Sequence, residues 1–515
     1  MRPTGGASKA RVLLAFLVLM VLAAVPLLSV DLPPLVDFPN HLARMYVLAD
    51  GGHTPSLAEY YTITWEPLPN LAMDAIVPWL LGFMPLFTAG RLFLLLLMVM
   101  TASGMMMLHR TLWGRWSYWP LLGFGLLYNR ILIWGFVNFL FGLGLALWVL
   151  AFWAASRRMH WLPRLVLATI AATAVFFCHI EAQGLLFFAL CGMEAPLFRA
   201  EIGARRWGAV FGRLVMLGGP FVPAAIIFFA SWQPHSSGHF ELSTVSLKLQ
   251  HLLIVFSNYH WGFDVVCALV FVGFFALMAA TRRAAAAPPL FWWLGIMITL
   301  YVLMPNSAFT GSGADERIPV LTAMLLVAGS APKRAEGLRS DRLVAGAVVV
   351  LLALFVLRLG AIEQIWLRSK PIYADDAQTL SLIKPGSRMG VADPWAILAD
   401  TDIPQTHIPL LAVPMRNAFV PPIFAYPAQQ PIRIAPAYRD FEAETKPDKI
   451  WAAFVEGNPA ERKRLAPLLP RYDYLLFVFL EPFKVRPDPC LQFMRGSPTF
   501  QLYRVVPQHG ACPAD

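Results

Sequence analysis

The sequence predicts an all-α polytopic membrane bundle of about 11–13 transmembrane helices, followed by a small α/β domain. The 515-residue chain is 58% hydrophobic and only 14% charged, which is more apolar surface than one soluble core can bury. Long apolar runs recur as far as Gly360. The residues after them are rich in proline and mix strand-like with helical stretches. We therefore predict a transmembrane domain over 1–360 and a soluble domain over 361–515.

Apolar runs of roughly 16 to 22 residues, the length that crosses a hydrocarbon core, define the predicted spans. They lie near 11–30, 70–87, 91–108, 117–134, 136–155, 163–179, 183–199, 209–230, 262–281, 289–304, 317–331 and 343–360. The first run follows basic residues like a signal peptide, but it is long and has no clean small-residue cleavage site. We therefore predict an uncleaved anchor, followed by a first outer loop over 31–70.

The Lys and Arg residues of the short loops predict the orientation of the bundle. They place the N-terminus in the cytoplasm and the C-terminal domain outside it. Because twelve spans would return the C-terminus to the cytoplasm, we predict an odd number, 11 or 13. The segment 70–87, which contains Asp74 and two prolines, is then re-entrant or interfacial. A break between Ser117 and Ala155 would serve equally well.

The net charge of +10 is also explained by topology. Residues 361–515 contain 17 Lys and Arg against 16 Asp and Glu, so the excess lies in the membrane part, mostly on the inner loops. Nucleic-acid binding is not predicted. The sequence also has no phosphate-loop signature, which argues against a pump with its own ATPase.

The first outer loop collects the residue types that group transfer needs. Asp31, Asp37, Asn40, His41 and Arg44 lie within 14 residues, with prolines between them and a short helix predicted over 40–48. A carboxylate beside a cation can deprotonate an acceptor hydroxyl while the cation holds a phosphate. Asp37 and Arg44 fit these two roles, and Arg44 shares a helix face with His41. The alternative is that both aspartates are ordinary loop residues and Asn40 is a helix cap.

Two further groups of polar residues stand at the outer ends of predicted spans. His179 and Glu181 lie at the turn of a helical hairpin, where an ionisable side chain is costly unless it faces a cavity or a partner. A glycine-rich stretch ends in Asp315, Glu316 and Arg317. This loop could cradle a lipid-linked phosphate on the arginine, with a carboxylate orienting that arginine or a substrate hydroxyl. The alternative is a solvated loop with a snorkelling arginine.

The cysteines raise the question of a disulfide, and the histidines raise the question of a metal site. Cys490 and Cys512 could pair in an oxidising compartment or could stay unpaired. His235 and His239 have a spacing that suits metal ligands on a helix, but the glycine and serines between them disfavour a helix. We predict no metal site, and a divalent cation stays an open alternative.

The order of features resembles the GT-C superfamily of membrane glycosyltransferases, in particular the bacterial dolichyl-phosphate-mannose-type and aminoarabinose-transferase-type proteins. The chain has a first span, a long outer loop with acidic residues, many further spans and an outer soluble domain. Leu81-Gly82 and Ala89-Gly90-Arg91 are similar to the second and third spans of those proteins.

The resemblance carries a site expectation. In these families an acidic residue of the first outer loop binds or activates the acceptor, and the sugar arrives on a polyprenyl phosphate. They often present two adjacent acidic residues, where this chain has Asp37-Phe-Pro-Asn40-His41. The resemblance therefore implies Asp37 as the catalytic residue, with Asp31 as the alternative bearer of that role.

The resemblance implies a bacterial plasma (inner) membrane glycosyltransferase of the cell envelope, embedded in membrane lipids. It would move a sugar from a polyprenyl-phosphate donor to a lipid, glycan or protein acceptor on the outer face. Arg44 and Arg317 would bind the phosphate. The supporting residues would be Asp31, Asn40, His41, His179, Glu181, Asp315 and Glu316. One alternative is a transporter or flippase for a lipid-linked solute, although the deep spans hold few ionisable residues. Another is a non-catalytic subunit of envelope polysaccharide assembly.

Overall fold

The computed structural model describes residues 7–231, 240–307, 313–333, 338–394, 404–479, 483–508 and 512. His235, His239 and the first glycine of the stretch before Arg317 lie outside the described residues. The chain forms two compact units. Unit 1 comprises Met1–Leu28, Pro67–Met73 and Leu92–Glu363, and unit 2 comprises Ser29–Glu66, Asp74–Arg91 and Gln364–Asp515. The division into 1–360 and 361–515 stays a prediction.

The α-helices of the described residues follow in chain order. They are α1 Lys9–Ser29, α2 Phe38–Asp50, α3 Pro55–Tyr60, α4 Ala72–Leu80, α5 Leu86–Trp113, α6 Arg130–Trp134, α7 Val137–Ala155, α8 Trp161–Cys178, α9 Ile180–Gly203, α10 Trp207–Gly218, α11 Val222–Ser231, α12 Val245–His251, α13 Trp261–Ala280, α14 Leu290–Leu303, α15 Ile318–Gly329, α16 Leu338–Ser381, α17 Ala412–Arg416, α18 Arg439–Glu444, α19 Pro447–Trp451 and α20 Pro459–Leu465. Short 3-10 turns connect several of them, among them Trp119–Leu126, Asp315–Arg317 and Pro404–Leu411.

Among the described residues, seven helical segments are long and apolar enough to cross a membrane. They are Lys9–Ser29, Leu86–Trp113, Val137–Arg158, Trp161–Cys178, Trp207–Ser231, Trp261–Ala280 and Gly346–Ser381. Several of these helices leave large apolar side chains exposed, such as Leu14 and Val21 on α1 and Leu269 on α13. Apolar surface of this extent is matched to lipid rather than to water. The protein is therefore a multi-pass membrane protein.

Two of the twelve apolar runs are not continuous helices. The segment 70–87 contains only the short helix α4 before α5 begins. The segment 117–134 is a 3-10 stretch followed by the five-residue α6. Asn129 stops the first piece and starts the second, because its side-chain oxygen accepts the backbone N–H of Leu132 at 3.1 Å. These are the two places where the charge pattern had predicted a miscounted span.

The soluble part of unit 2 is built on a four-stranded sheet with the order β4-β6-β8-β7. Its strands are β4 Met389–Ala392, β6 Tyr474–Val478, β7 Leu491–Gly496 and β8 Phe500–Val505. β4 pairs parallel to β6 with Met389 opposite Tyr474, and the other pairs are antiparallel. The short pairs β1 Tyr61–Ile63 with β5 Ile432–Ile434, and β2 Ala284–Ala286 with β3 Ser330–Pro332, complete the strands.

Most local predictions for the C-terminal residues are confirmed. The sequence predicts strands near 389–392, 432–435, 474–479 and 500–506 and a helix over 450–468. The four predicted strands correspond to β4, β5, β6 and β8. β7 was missed because most of its side chains are exposed or half-exposed, so no apolar alternation marks it. The helix predicted over 450–468 is broken at Gly457, which has a positive φ of 74°, and Asn458 caps the next helix. Cys490 and Cys512 form a disulfide.

Candidate active site

The first outer loop enters α2 through Asp37, which is the residue before the helix. A proline in the first turn favours the start of a helix here, because its fixed φ suits that position. The Asp37 carboxylate makes no capping hydrogen bond to the helix. Its Oδ1 lies instead 3.3 Å from Nε2 of His407, in the 3-10 turn Pro404–Leu411, and both side chains are largely buried. Within unit 2, the predicted catalytic carboxylate is therefore held by a histidine of the C-terminal residues.

Asn40 lies in the first turn of α2 and is fully buried. Its side-chain oxygen accepts the backbone N–H of Phe424 at 2.8 Å. Its side-chain nitrogen donates to the carbonyl of Pro422 at 2.9 Å and lies 3.2 Å from Nδ1 of His407. The alternative that Asn40 caps the helix does not hold, because these bonds engage both ends of its amide and Asp37 holds the capping position.

His41 and Arg44 sit side by side on α2 but have different surroundings. The His41 ring packs edge-on against Phe424 with a centroid distance of 5.5 Å. Arg44 is fully buried, and its Nε and Nη2 donate to the two carboxylate oxygens of Asp74 at 2.8 and 2.9 Å. The role of Arg44 as a phosphate ligand stays a prediction, and two of its three nitrogens are held by the protein itself.

Asp31 occupies the surface of unit 2. Its side chain is 86% exposed, and its nearest charged neighbour is Nη1 of Arg91 at 3.8 Å. That nitrogen also donates to the carbonyl of Val30 at 3.0 Å. An exposed carboxylate with one distant partner is held weakly, because water screens the pair.

Arg317 lies within unit 1, on the turn Asp315–Arg317 that leads into α15. Its Nη1 donates to Oε2 of Glu181 in the first turn of α9. The guanidinium also stacks over the rings of Phe136 and Phe139, at 4.5 and 5.4 Å from their centroids. His179 caps α9, since its Nδ1 accepts the backbone N–H of Glu181 at 3.2 Å. The structure thus brings the two sequence-predicted groups of unit 1 together.

Asp315 is the most heavily bonded carboxylate of this group. It accepts hydrogen bonds from Ser243 at 2.8 Å, from Lys248 at 3.0 Å and from Asn306 at 3.0 Å, and His251 Nδ1 lies 3.7 Å away. Burial alone would raise its pKa. The imidazole and the three donors outweigh burial and hold the pKa of Asp315 well below its usual range. These neighbours therefore favour the ionised form of Asp315.

The pKa of the adjacent residue Glu316 is shifted in the opposite direction. Its Oε1 accepts a hydrogen bond from Asn306 at 2.9 Å and lies 3.4 Å from Nε2 of His251. Burial raises the pKa of Glu316 in spite of these neighbours. Its Oε2 is buried and has no hydrogen-bond partner among the residues described, and the same is true of Oε1 of Glu181. Each of these oxygens can accept a hydrogen bond from a ligand, because a buried acceptor left alone is costly.

The open question of a divalent cation concerns the same residues. His251, Asp315 and Glu316 each offer a ligand atom, and the three atoms lie within 4.8 Å of one another. Nζ of Lys248, however, donates to Oδ2 of Asp315 and is also bound by the carbonyls of Tyr301 and Met304. The Lys248 ammonium, which is held by these three oxygens, already supplies a positive charge beside Asp315.

The sequence did not predict the residues that contact the candidate site residues. Asp74, Lys248, His251, Asn306 and His407 were not among the predicted site residues. The sequence did mark one of them, Asp74, as an ionisable residue in an apolar segment. In the part of the chain that the structure describes, five candidates lie in unit 2 and five in unit 1. The former are Asp31, Asp37, Asn40, His41 and Arg44, and the latter are His179, Glu181, Asp315, Glu316 and Arg317.

No protein-family model and no protein of curated function matches the sequence. Solved structures do match the fold. The crystal structure of ArnT from Cupriavidus metallidurans bound to undecaprenyl phosphate matches with a TM-score of 0.51 at 14% identity, over 98% of this chain and 100% of that chain. The chain has the fold of ArnT. The predicted membrane bundle with a C-terminal α/β domain is thereby confirmed, and at this identity the likeness concerns the fold alone.

Two cryo-EM structures of the arabinofuranosyltransferase AftD from Mycobacteria are also similar. The wild-type protein matches with a TM-score of 0.48 at 15% identity, and a mutant with 0.49 at 17% identity. Each match covers 98% of this chain but only 40% and 42% of AftD. The chain thus spans less than half of the AftD length.

Proposed function

We propose that the protein is a membrane glycosyltransferase that moves a sugar from a polyprenyl-phosphate donor to a lipid, glycan or protein acceptor on the extracytoplasmic face. The shared fold supports this proposal, because ArnT was crystallised with undecaprenyl phosphate. The disulfide between Cys490 and Cys512 supports the orientation, since disulfides persist in oxidising compartments outside the cytoplasm. The cell-envelope inner membrane of a bacterium is the proposed location.

One observation supports the proposed binding of the sugar-phosphate donor. Arg317 lies among carboxylates of which two, Glu181 and Glu316, each keep a buried oxygen without a hydrogen-bond partner in the described chain. A sugar phosphate presents an anion and several hydroxyls. A guanidinium binds the phosphate oxygens, and free carboxylate oxygens accept hydrogen bonds from sugar hydroxyls. This combination fits a sugar phosphate better than it fits an apolar solute or a bare anion.

The acceptor half rests on Asp37. In the proposed reaction the acceptor hydroxyl gives its proton to the Asp37 carboxylate as its oxygen forms a bond to the anomeric carbon. The bond between that carbon and the phosphate oxygen breaks, and its electron pair leaves with the polyprenyl phosphate. A cation bound to the leaving phosphate stabilises the negative charge that grows on it. Attack opposite the leaving group inverts the anomeric configuration.

The test is the transfer of radiolabelled sugar from a panel of polyprenyl-phosphate sugars by the purified full-length protein. Asp37→Asn keeps the shape of the side chain but cannot take the proton, so we expect kcat to fall by about 10²- to 10⁴-fold. Asp440→Asn is the matched control, because it removes an exposed carboxylate of the same unit. Asp31→Asn decides between the two aspartates of the loop.

Each outcome of this assay has a definite meaning. Loss of transfer in Asp37→Asn with full activity in Asp440→Asn supports Asp37 as the base. Activity retained in Asp37→Asn but lost in Asp31→Asn moves the role to Asp31. Wild-type protein that transfers no sugar from any donor in the panel contradicts the glycosyltransferase proposal and favours the transporter or scaffold alternative.

A further inference from the structure

His407 is the ion-pair partner of the Asp37 carboxylate among the described residues. Its Nε2 is 3.3 Å from Oδ1 of Asp37. This is just beyond the usual 2.7–3.2 Å of such a bond, and catalytic hydrogen bonds often tighten only when substrate binds. The two residues are far apart in the sequence, yet both belong to unit 2. The contact is therefore built by the fold of that unit.

The Asn40 side chain can be oriented without ambiguity, which is unusual for an amide. Its oxygen faces a group that can only donate, the backbone N–H of Phe424, at 2.8 Å. Its nitrogen faces a group that can only accept, the carbonyl of Pro422, at 2.9 Å. A flipped amide would place two donors together and two acceptors together. The atom that faces Nδ1 of His407 at 3.2 Å is therefore the amide nitrogen, a donor.

This orientation decides where the imidazole proton sits. Because Asn40 donates to Nδ1 of His407, that ring nitrogen must be the acceptor. The proton of the neutral ring is then on Nε2, the nitrogen that faces Asp37. Asn40 donates to the His407 ring, and Nε2–H of the ring faces Oδ1 of Asp37. The other carboxylate oxygen of Asp37 stays available for a substrate proton.

We propose that His407 is a positioning residue for Asp37, and that Asn40 holds His407 in the tautomer that performs this task. The inference rests on the proposed function, because it assigns Asp37 the role of base. A carboxylate that is free to rotate about two torsions meets the acceptor hydroxyl only part of the time. One fixed hydrogen bond to Oδ1 aims Oδ2 at the acceptor. The C-terminal residues thereby take part in the reaction.

The experiment compares two substitutions of His407 in the full-length protein. His407→Gln places an amide N–H where Nε2–H was, and His407→Leu fills the space without a donor. We expect His407→Leu to lower kcat on the order of 10- to 100-fold, a part of what the general base itself contributes. We expect the KM for the donor to stay the same and His407→Gln to recover most of the rate. Thermal unfolding of the variants shows whether they are equally stable.

The two variants separate positioning from packing. Equal loss in both variants, or a rise in donor KM without a change in kcat, overturns the inference. Full activity in His407→Leu overturns it as well, while the glycosyltransferase proposal stands. A wild type without transfer overturns the proposed function instead.

A second readout does not depend on activity. In protein labelled with ¹⁵N-histidine, the ring signals that disappear in His407→Gln belong to His407. We expect them to show a neutral ring protonated at Nε2. A ring protonated at Nδ1 overturns the inference whatever the transfer assay shows.

Discussion

Each unit contains a buried pair of arginine and carboxylate, and the two pairs differ in how fully their hydrogen-bonding groups are used. We infer a structural role for one pair and a ligand-binding role for the other. Arg44 and Asp74 in unit 2 are both fully buried and are joined by two parallel hydrogen bonds of 2.8 and 2.9 Å. Arg317 and Glu181 in unit 1 are joined through one guanidinium nitrogen and one carboxylate oxygen, and both side chains keep some exposure. We call the first pair closed, because both oxygens of its carboxylate are bonded, and the second open, because one oxygen of its carboxylate has no hydrogen-bond partner among the described residues.

The surroundings of the two pairs reinforce this difference. Burying two charges costs more than their attraction returns unless their hydrogen-bonding groups are satisfied. Asp74 satisfies both of its oxygens on Arg44. Glu181 leaves Oε1 unpartnered, and neighbouring Glu316 leaves Oε2 unpartnered, among the residues described. The pair in unit 1 therefore has a spare acceptor, whereas the spare group of the pair in unit 2 is a donor, Nη1 of Arg44. Spare acceptors can bind sugar hydroxyls, and this is why Arg317 rather than Arg44 stands at the centre of the proposed donor site.

The largest expected effect is on stability, at the closed pair. Arg44→Ala or Asp74→Ala leaves one charge buried without its partner, so we expect a loss of about 3–5 kcal/mol in the free energy of unfolding. Thermal unfolding in detergent and the yield of monodisperse protein measure it. The control is the double substitution Arg44→Met with Asp74→Leu, which removes both charges and should recover most of the stability. Single variants as stable as the wild type would contradict the structural role.

The same double variant tests the remaining prediction for Arg44. If it folds and transfers sugar, the phosphate does not need Arg44. If it folds and is inactive, the result supports Arg44 as a phosphate ligand, as predicted from the sequence. The distinction between a structural pair and a binding pair would then be wrong.

The second effect is on donor binding, at the open pair. Arg317→Ala removes the proposed phosphate ligand, so we expect kcat/KM for the donor to fall by about 10- to 100-fold, which is about 1.4–2.8 kcal/mol. Arg317→Lys keeps the charge but loses the planar fork, and it should recover only part of the rate. Arg158→Ala is the control, because it removes an exposed arginine of a short connecting turn. Unfolding of Arg317→Ala to the extent expected for Arg44→Ala would contradict the distinction.

The sequence was informative wherever the signal is local. The strands β4 and β6 were predicted because their side chains are apolar in runs of four or five residues between turn signals. The strand β8 was predicted because aromatic and branched apolar residues recur along it. The candidates Asp37 and Arg317 were found because charged residues next to membrane spans are costly and therefore stand out. The segment 117–134 was mistaken for a span because composition alone cannot distinguish a 3-10 stretch from a helix.

The partners of the candidates could not be predicted, and the reason is physical. His407 reaches Asn40 across 367 positions of the chain, and Lys248 reaches Asp315 across 67. Neither spacing corresponds to a helical turn or a strand alternation, so no periodic pattern records the contact. The aspartate in α4 did carry a signal, because a carboxylate in an apolar segment needs a cation, but the sequence offered several cations.

The smallest expected effect concerns pH, and it sharpens the comparison inside unit 1. The pKa of Asp315 is lowered in the folded protein, so its contribution to stability is present above the ordinary value of 3.8 and is lost as the pH falls through the folded value. The pKa of Glu316 is raised by burial, so its contribution is present below the ordinary value of 4.5 and is lost as the pH rises through the folded value. The contributions of Asp315 and Glu316 to the pH dependence of stability therefore have opposite signs.

Glu316→Gln should therefore raise the unfolding temperature above about pH 4.5 and leave it unchanged well below, because a neutral amide has no buried charge to stabilise. Asp315→Asn should lower the unfolding temperature at neutral pH, because Lys248 would lose the carboxylate that it binds. Unfolding temperatures measured across the pH range for the wild type and both variants provide the check. If Glu316→Gln is the less stable protein at neutral pH, its carboxylate is an ion-pair partner of Arg317 or His251, and the spare acceptor assigned to the proposed donor site is not spare.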